Sequence, residues 1–218
     1  MPKTIIFDTE TTGKNDPTLI EAAWIKLDGV KPFSTSEKFN QRYNPLKPIE
    51  LGALATHHIL DEELQDCPDY TEFTLPANTE YIIGHNVDYD WNIVGQPDIK
   101  RICTVALSRR LWPELDSHNQ SALLYFVDRH NAREKLKNAH SALADVENCA
   151  FILEKIIAKL GVTTIEELWK ISEQARVPTH MPFGKHKGVA IANIPRDYKT
   201  WLLNQDNVDA YLRKALEA

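Results

Sequence analysis

Ile5-Ile6-Phe7-Asp8-Thr9-Glu10-Thr11-Thr12-Gly13 passes from three apolar residues through Asp-x-Glu into a Thr-Thr-Gly turn. The apolar start marks a strand too hydrophobic for a sheet edge. Side chains on a strand alternate between faces, so Asp8 and Glu10 point the same way. Two carboxylates on one face repel each other and lose hydration unless something compensates. A divalent cation is the natural compensation, because hard oxygen ligands suit Mg²⁺ or Mn²⁺. Taken alone, the pair fits equally well a strand that ends in a solvated turn.

The rest of the chain supplies the setting. Ile20 to Leu27 reads as a second strand that turns at Asp28-Gly29, and Lys38 to Tyr43 as a third, leading into Asn44-Pro45. Connections this short favour an antiparallel meander. Leu51 to Leu64 has helical spacing and contains the pair His57-His58. Tyr81 to Gly84 is a short apolar strand that opens onto His85-Asn86 and a helix from about Asp88. Arg101 to Val105 reads as a last strand, followed by a helix that Pro113 stops. Ser121 to Arg129 is amphipathic. Ser141 to Leu160 is the strongest helix, with Leu143, Val146, Ala150, Leu153 and Ile157 in one stripe and Gly161 as its stop. Strands first, then strands interleaved with helices, give an α/β fold with a mixed sheet.

The composition narrows the function classes. At 218 residues the chain can bury one sizeable core and carry a small second unit. No apolar run approaches the roughly 20 residues that span a bilayer, and no signal peptide precedes Asp8, so no membrane role is expected. Cys67, Cys103 and Cys149 are scattered and form no Cys-x-x-Cys pair, which points to a reduced, cytoplasmic setting. The net charge of −6 argues against gripping long duplex by charge alone. It leaves room for a nucleic-acid enzyme whose negative charges line a metal site.

Two further segments turn the opening motif into a site. Asn86-Val87-Asp88-Tyr89-Asp90 places an acid in the first turn of a helix after a buried strand. His140-Ser141-Ala142-Leu143-Ala144-Asp145 places a histidine just before an N-cap serine and an acid about one turn inside the helix. At about 100° per residue these two lie well apart around a helix, which suits a rigid ligand on the helix and a base on the preceding loop. Asp8-x-Glu10, Asn86-x-x-Tyr89-Asp90 and His140-x4-Asp145 resemble, in order and spacing, the three exonuclease motifs of the DnaQ-like, or DEDD, family. The tyrosine variant would need Tyr where Ser141 stands, so the chain resembles the histidine branch, DEDDh. Arg109-Arg110-Leu111-Trp112-Pro113 and the tail Phe183-Gly184-Lys185-His186-Lys187-Gly188 further resemble the bacterial exodeoxyribonuclease X type. Tyr89 stands where Phe is usual, and His58 where Gly or Arg is more frequent.

The resemblance implies an RNase H-like fold with a five-stranded sheet flanked by helices and a small C-terminal extension. It implies that Asp8, Glu10, Asp90 and Asp145 hold two Mg²⁺, with Mn²⁺ able to substitute, and that Asp8, taken as the last residue of its strand, bridges them. His140 would act as general base, a task suited to an imidazole. The product would be 5′-mononucleotides released from DNA 3′ ends, single-stranded or duplex. Thr11, Thr12 and Gly13 would offer backbone N–H groups to the terminal nucleotide, and His57 would pack against it. Asn86 reads first as a turn former that holds Asp90, and second as a substrate contact. Arg109 and Arg110 with Trp112 could grip a backbone and stack a base, or be a solvated face and a core residue. Lys185 and Lys187 in their Gly-flanked turn could clamp DNA or be merely exposed. RNA ends are the alternative substrate, and a silent binding relative would lack a ligand that this chain retains. A homodimer is compatible with the family. The expected organisation is an exonuclease domain over 1–162, a helix and linker over 163–181 and a basic-turn module over 182–218.

Overall fold

The computed structural model describes residues 3–205 and 208–218. Its sheet has five strands: β1 (Lys3–Thr11), β2 (Leu19–Val30), β3 (Phe33–Arg42), β4 (Thr79–Gly84) and β5 (Lys100–Cys103), in the order β3-β2-β1-β4-β5. The first three form the expected antiparallel meander, and β4 and β5 add in parallel. The sheet is mixed, and β1 lies at its centre.

Alternation on β1 sorts the two faces. Ile5 and Phe7 enter one core cluster with Leu19, Ala22, Ile82 and Val87. Ile6 enters the other, with Ala23, Ile25, Ile83, Ile102 and the buried stripe of α6 (Ala142–Leu160). Asp8 and Glu10 have the parity of Ile6, so they project beneath α6. Asp8 is not the last residue of β1, because pairing with β2 continues to Thr11 through an irregularity after Glu10. The antiparallel partner β2 extends the ladder past the acids.

Several element boundaries differ from the sequence reading. The Leu51–Leu64 segment is broken: α1 (Leu51–His57) ends where His58 takes a left-handed φ of 59°, and a 3₁₀ turn follows at Asp61–Leu64. The break lets Ile59 and Leu64 both reach a small cluster with Ile20. The last strand stops at Cys103, because α3 (Thr104–Leu111) starts there. Between α2 (Asp88–Ile93) and α6 lie also α4 (Gln120–Val127) and a short turn of helix, α5 (Ala132–Lys135), which the sequence reading did not contain.

Beyond Gly161, α7 (Ile165–Arg176) places Ile165 and Leu168 in the main core. The segment read as helix and linker therefore divides, its helix packing with the sheet and its remainder leading away. The tail then builds a cluster of its own from Met181, Ile191, Ile194, Leu202, Leu212 and Leu216, carried in part by α8 (Arg196–Leu203) and α9 (Ala210–Glu217). Arg176 ties the two together. Its side chain is only 4% exposed; it donates to Asp88 Oδ1, which Arg101 also engages, and its guanidinium lies 4.1 Å from the ring centre of Tyr211 on α9.

Candidate active site

Carboxylate oxygens of Asp8, Glu10 and Asp145 lie within 4.8 Å of one another. The sheet delivers the first two by alternation, and α6 delivers the third from its first turn. Asp145 Oδ2 accepts the backbone N–H of His140 at 3.1 Å, and its carbonyl accepts from Gln120 Nε2 at 2.9 Å. The helix start is itself anchored to the sheet. Ala142 N–H donates to Glu21 Oε2 at 2.8 Å, and the other Glu21 oxygen faces Arg42 Nε at 3.5 Å. Glu21 is buried on β2 opposite Glu10.

Sequence reasoning missed Glu21. The signal was present as a lone acid in an apolar strand, but its partner sits 121 residues away. Glu21→Ala should leave the buried Ala142 N–H without a partner, costing on the order of 1–3 kcal/mol and several degrees in Tm. Glu21→Gln retains the acceptor and should cost less. Thermal melts of the two variants check the order.

Asp90 enters differently. Its Oδ1 accepts both the backbone N–H and the hydroxyl of Thr9, at 2.9 and 2.7 Å. Thr9 is the residue between Asp8 and Glu10 and faces the opposite side of the sheet, so α2 fastens to the strand from that side. Asp90 is thus held beside the other three without joining their close cluster.

The site carries more negative charge than its burial tolerates. Burial first, then the neighbouring Asp90, Asp145, Glu10 and Glu21, holds the Asp8 carboxyl well above the usual carboxylate range. The same causes, burial first and then Asp145, push Glu10 up to about 8. Burial raises Asp90 to about 7 against the pull of its Thr9 hydrogen bonds. Asp145 is also raised by burial, with His140 pulling it back. An all-oxygen set whose carboxyls all hold their protons more tightly than usual fits a hard divalent metal, which would favour their ionised forms.

A pH dependence follows. These carboxyls bind protons more tightly in the folded chain than unfolded, so their contribution to the metal-free fold is most favourable at low pH. That advantage is lost as pH rises through about 7 to 8. Mg²⁺ should therefore raise Tm little near pH 5 and increasingly towards pH 8. Melts in Mg²⁺ and in EDTA across this range check it, and a gap that narrows with pH would contradict it.

Next to Glu10 opens a pocket of about 360 Å³, lined by Thr11, Gly13, Glu50, Ala53, Thr56, His57 and Tyr89 among others. A Cβ at Gly13 would lie 2.2 Å from Glu50 Cδ, and Glu50 is pinned by the N–H groups of Lys14 and Asn15. Only glycine allows the carboxylate to close that wall. Thr11 Oγ1 lies 2.6 Å from the Tyr89 hydroxyl, a contact that Phe could not make. His57 Nδ1 accepts from Ile59 N–H, and its Nε2 faces the Thr11 backbone without a well-formed hydrogen bond; burial lowers its proton affinity.

Residues 5–153 match the family model described as "Exonuclease". Exodeoxyribonuclease 10 of Escherichia coli (strain K12) is 30% identical over 97% of this chain and 96% of its own length. The chain belongs to the DnaQ-like 3′→5′ exonuclease family. The DNA polymerase III subunit epsilon of Buchnera aphidicola subsp. Schizaphis graminum is 29% identical over 70% of this chain and 71% of its own. Among solved structures, Exonuclease X in complex with 5′ overhanging duplex DNA superimposes with a TM-score of 0.62, 25% identity and coverage of 78% of this chain and 99% of that one. Residues 172–217 match a second model, described as "Putative quorum-sensing-regulated virulence factor".

Not every residue singled out in the sequence reaches the site of this exonuclease. Thr12 is buried and spent on structure: its N–H donates to the Thr18 carbonyl, and its own carbonyl accepts from Glu50 N–H. Its N–H is therefore not free for a nucleotide. Asn86 is exposed at a left-handed φ of 74°, and its carbonyl accepts from Tyr89 N–H, which fits a turn former. Arg109 and Arg110 lie outside the pocket lining on the last turn of α3, Arg110 reaching Gln174 at 3.3 Å, while Trp112 packs edge-on against Phe126. Lys185 and Lys187 are exposed on the tail, also outside that lining. His140 is exposed with a left-handed φ of 68°.

Proposed function

We propose that this exonuclease removes 5′-mononucleotides from DNA 3′ ends, using two Mg²⁺ or Mn²⁺ ions held by Asp8, Glu10, Asp90 and Asp145. The observation that carries the reading is the cluster of three carboxylates, with Asp90 fastened beside it, opening onto a pocket of nucleotide size. The metals, when bound, would activate water and stabilise charge on the leaving 3′ oxygen. The chain's own groups do the rest. Glu10 sits between cluster and pocket; Gly13 and Glu50 close one wall, and His57 and Ala53 another against which a terminal nucleotide would pack. His140, exposed beside Asp145, is free to take a proton from the attacking water.

DNA is favoured over RNA by the names of the similar proteins, Exodeoxyribonuclease 10 and Exonuclease X with duplex DNA. A cytoplasmic setting fits the free Cys67, Cys103 and Cys149. Among the described residues no helix is long and apolar enough to cross a membrane. The test is digestion of 5′-labelled single-stranded DNA, duplex DNA and RNA with Mg²⁺ and, separately, with Mn²⁺. A ladder shortening from the 3′ end of DNA is expected. Degradation of RNA alone, or none with either metal, would overturn the reading.

A further inference from the structure

The tail carries an aromatic and basic surface that the carboxylate site does not use. Between residues 180 and 201 stand Lys185, Lys187, Arg196 and Lys199 against the single acid Asp197, within a chain of net charge −6. Among the described residues, none of the four cations pairs with a carboxylate. On α8, Leu202 enters the tail's core while its neighbour Trp201 is left 54% exposed. The Trp201 ring lies 5.3 Å from that of Tyr198, and the His186 ring 4.5 Å from it, edge-on. Tyr198 thus links the ring on the helix to the one in the basic turn.

The turn is held in place before any ligand arrives. Gly188 N–H donates to the Met181 carbonyl at 2.8 Å, and Lys187 N–H to that of Gly184 at 3.1 Å. Gly184, at φ 73°, sits so close that an added Cβ would be 3.0 Å from the Tyr198 hydroxyl. The exposed indole of Trp201 leaves a flat apolar face in water, connected through Tyr198 to the basic turn. Unpaired bases offer flat faces to stack on such rings, and their phosphates match the cations. A rigid surface also loses little freedom on binding.

The geometry points to a second, non-catalytic binding site on the tail for single-stranded DNA, with a base stacked on Trp201 and phosphates on Lys185 and Lys187. Its choice of DNA rests on the substrate proposed above.

Fluorescence anisotropy of a labelled (dT)₂₀ strand with the full-length chain in EDTA tests the site without cleavage. Trp201→Ala should weaken binding about 5- to 150-fold, the range that one base–aromatic stack supplies. Trp201→Phe should recover most of it, with both melting temperatures near wild type because the ring is exposed. The pair Lys185→Ala and Lys187→Ala should flatten the slope of log affinity against log salt by about 1.4. Binding by Trp201→Ala within twofold of wild type would overturn the proposal. So would a blunt duplex that binds as tightly as the single strand, or (rU)₂₀ that binds more tightly than (dT)₂₀. Wild-type hydrolysis of the p-nitrophenyl ester of thymidine 5′-phosphate reads the carboxylate site by itself. Failure there with the Trp201 effect intact would sink the proposed function and leave the tail site standing.

Discussion

Asp8→Asn is expected to lower nucleotide release by on the order of 10³-fold or more and, in the same protein, to raise the Tm of the metal-free fold. Both effects come from one cause. Asp8 lies where Asp90, Asp145, Glu10 and Glu21 all press on its charge, and burial presses hardest. Without a cation that charge is a liability, and an amide of the same shape removes it. With a cation it is a ligand, and its loss removes several kcal/mol of transition-state stabilisation. A site that destabilises its own fold for the sake of activity shows this opposition. Release of mononucleotides from a labelled strand, beside melts in EDTA, measures both signs. Activity within tenfold of wild type would remove Asp8 from the metal set. A lower Tm in EDTA would show that burial and repulsion are not what governs the empty site.

His140→Asn should lower kcat by on the order of 10²–10⁴ with KM and Tm almost unchanged. Asparagine is the informative replacement. Residue 140 has a left-handed φ, which Asn tolerates better than Ala, so the backbone is spared. The His140 N–H that Asp145 accepts belongs to the main chain and survives the change. What disappears is the imidazole alone. A loss confined to KM would make His140 a substrate contact, and a fall in Tm would make it structural.

The sequence made the acids legible because their placement is local. Alternation along β1 decides that Asp8 and Glu10 share a face, and helical spacing decides that Asp145 sits one turn inside α6. What joins these segments is not local. Glu21 anchors α6 across 121 residues, and Asp90 is fastened to β1 by Thr9, 81 residues earlier. Neither bond leaves a spacing to read. The Thr12 N–H looked available because a Thr-Thr-Gly turn exposes its backbone in isolation, and only the chain returning at Thr18, just before β2, shows it occupied. Likewise, the apolar spacing of Leu51–Leu64 is real, but reaching Ile20 with both Ile59 and Leu64 demands a break that helical periodicity conceals.

The Arg176 fork has a bearing on how this protein can be taken apart or recombined. Asp88, which Arg176 grips, opens the helix that carries Asp90 two residues later, and Arg176 in turn faces Tyr211 of the tail. A shortened chain that ends before residue 176 deletes a brace of the catalytic helix along with the tail, so a drop in rate would be misassigned. The natural seam for grafting this tail onto another nuclease therefore lies beyond Arg176. The recipient also needs an arginine at that point, with an acid on its helix to receive it.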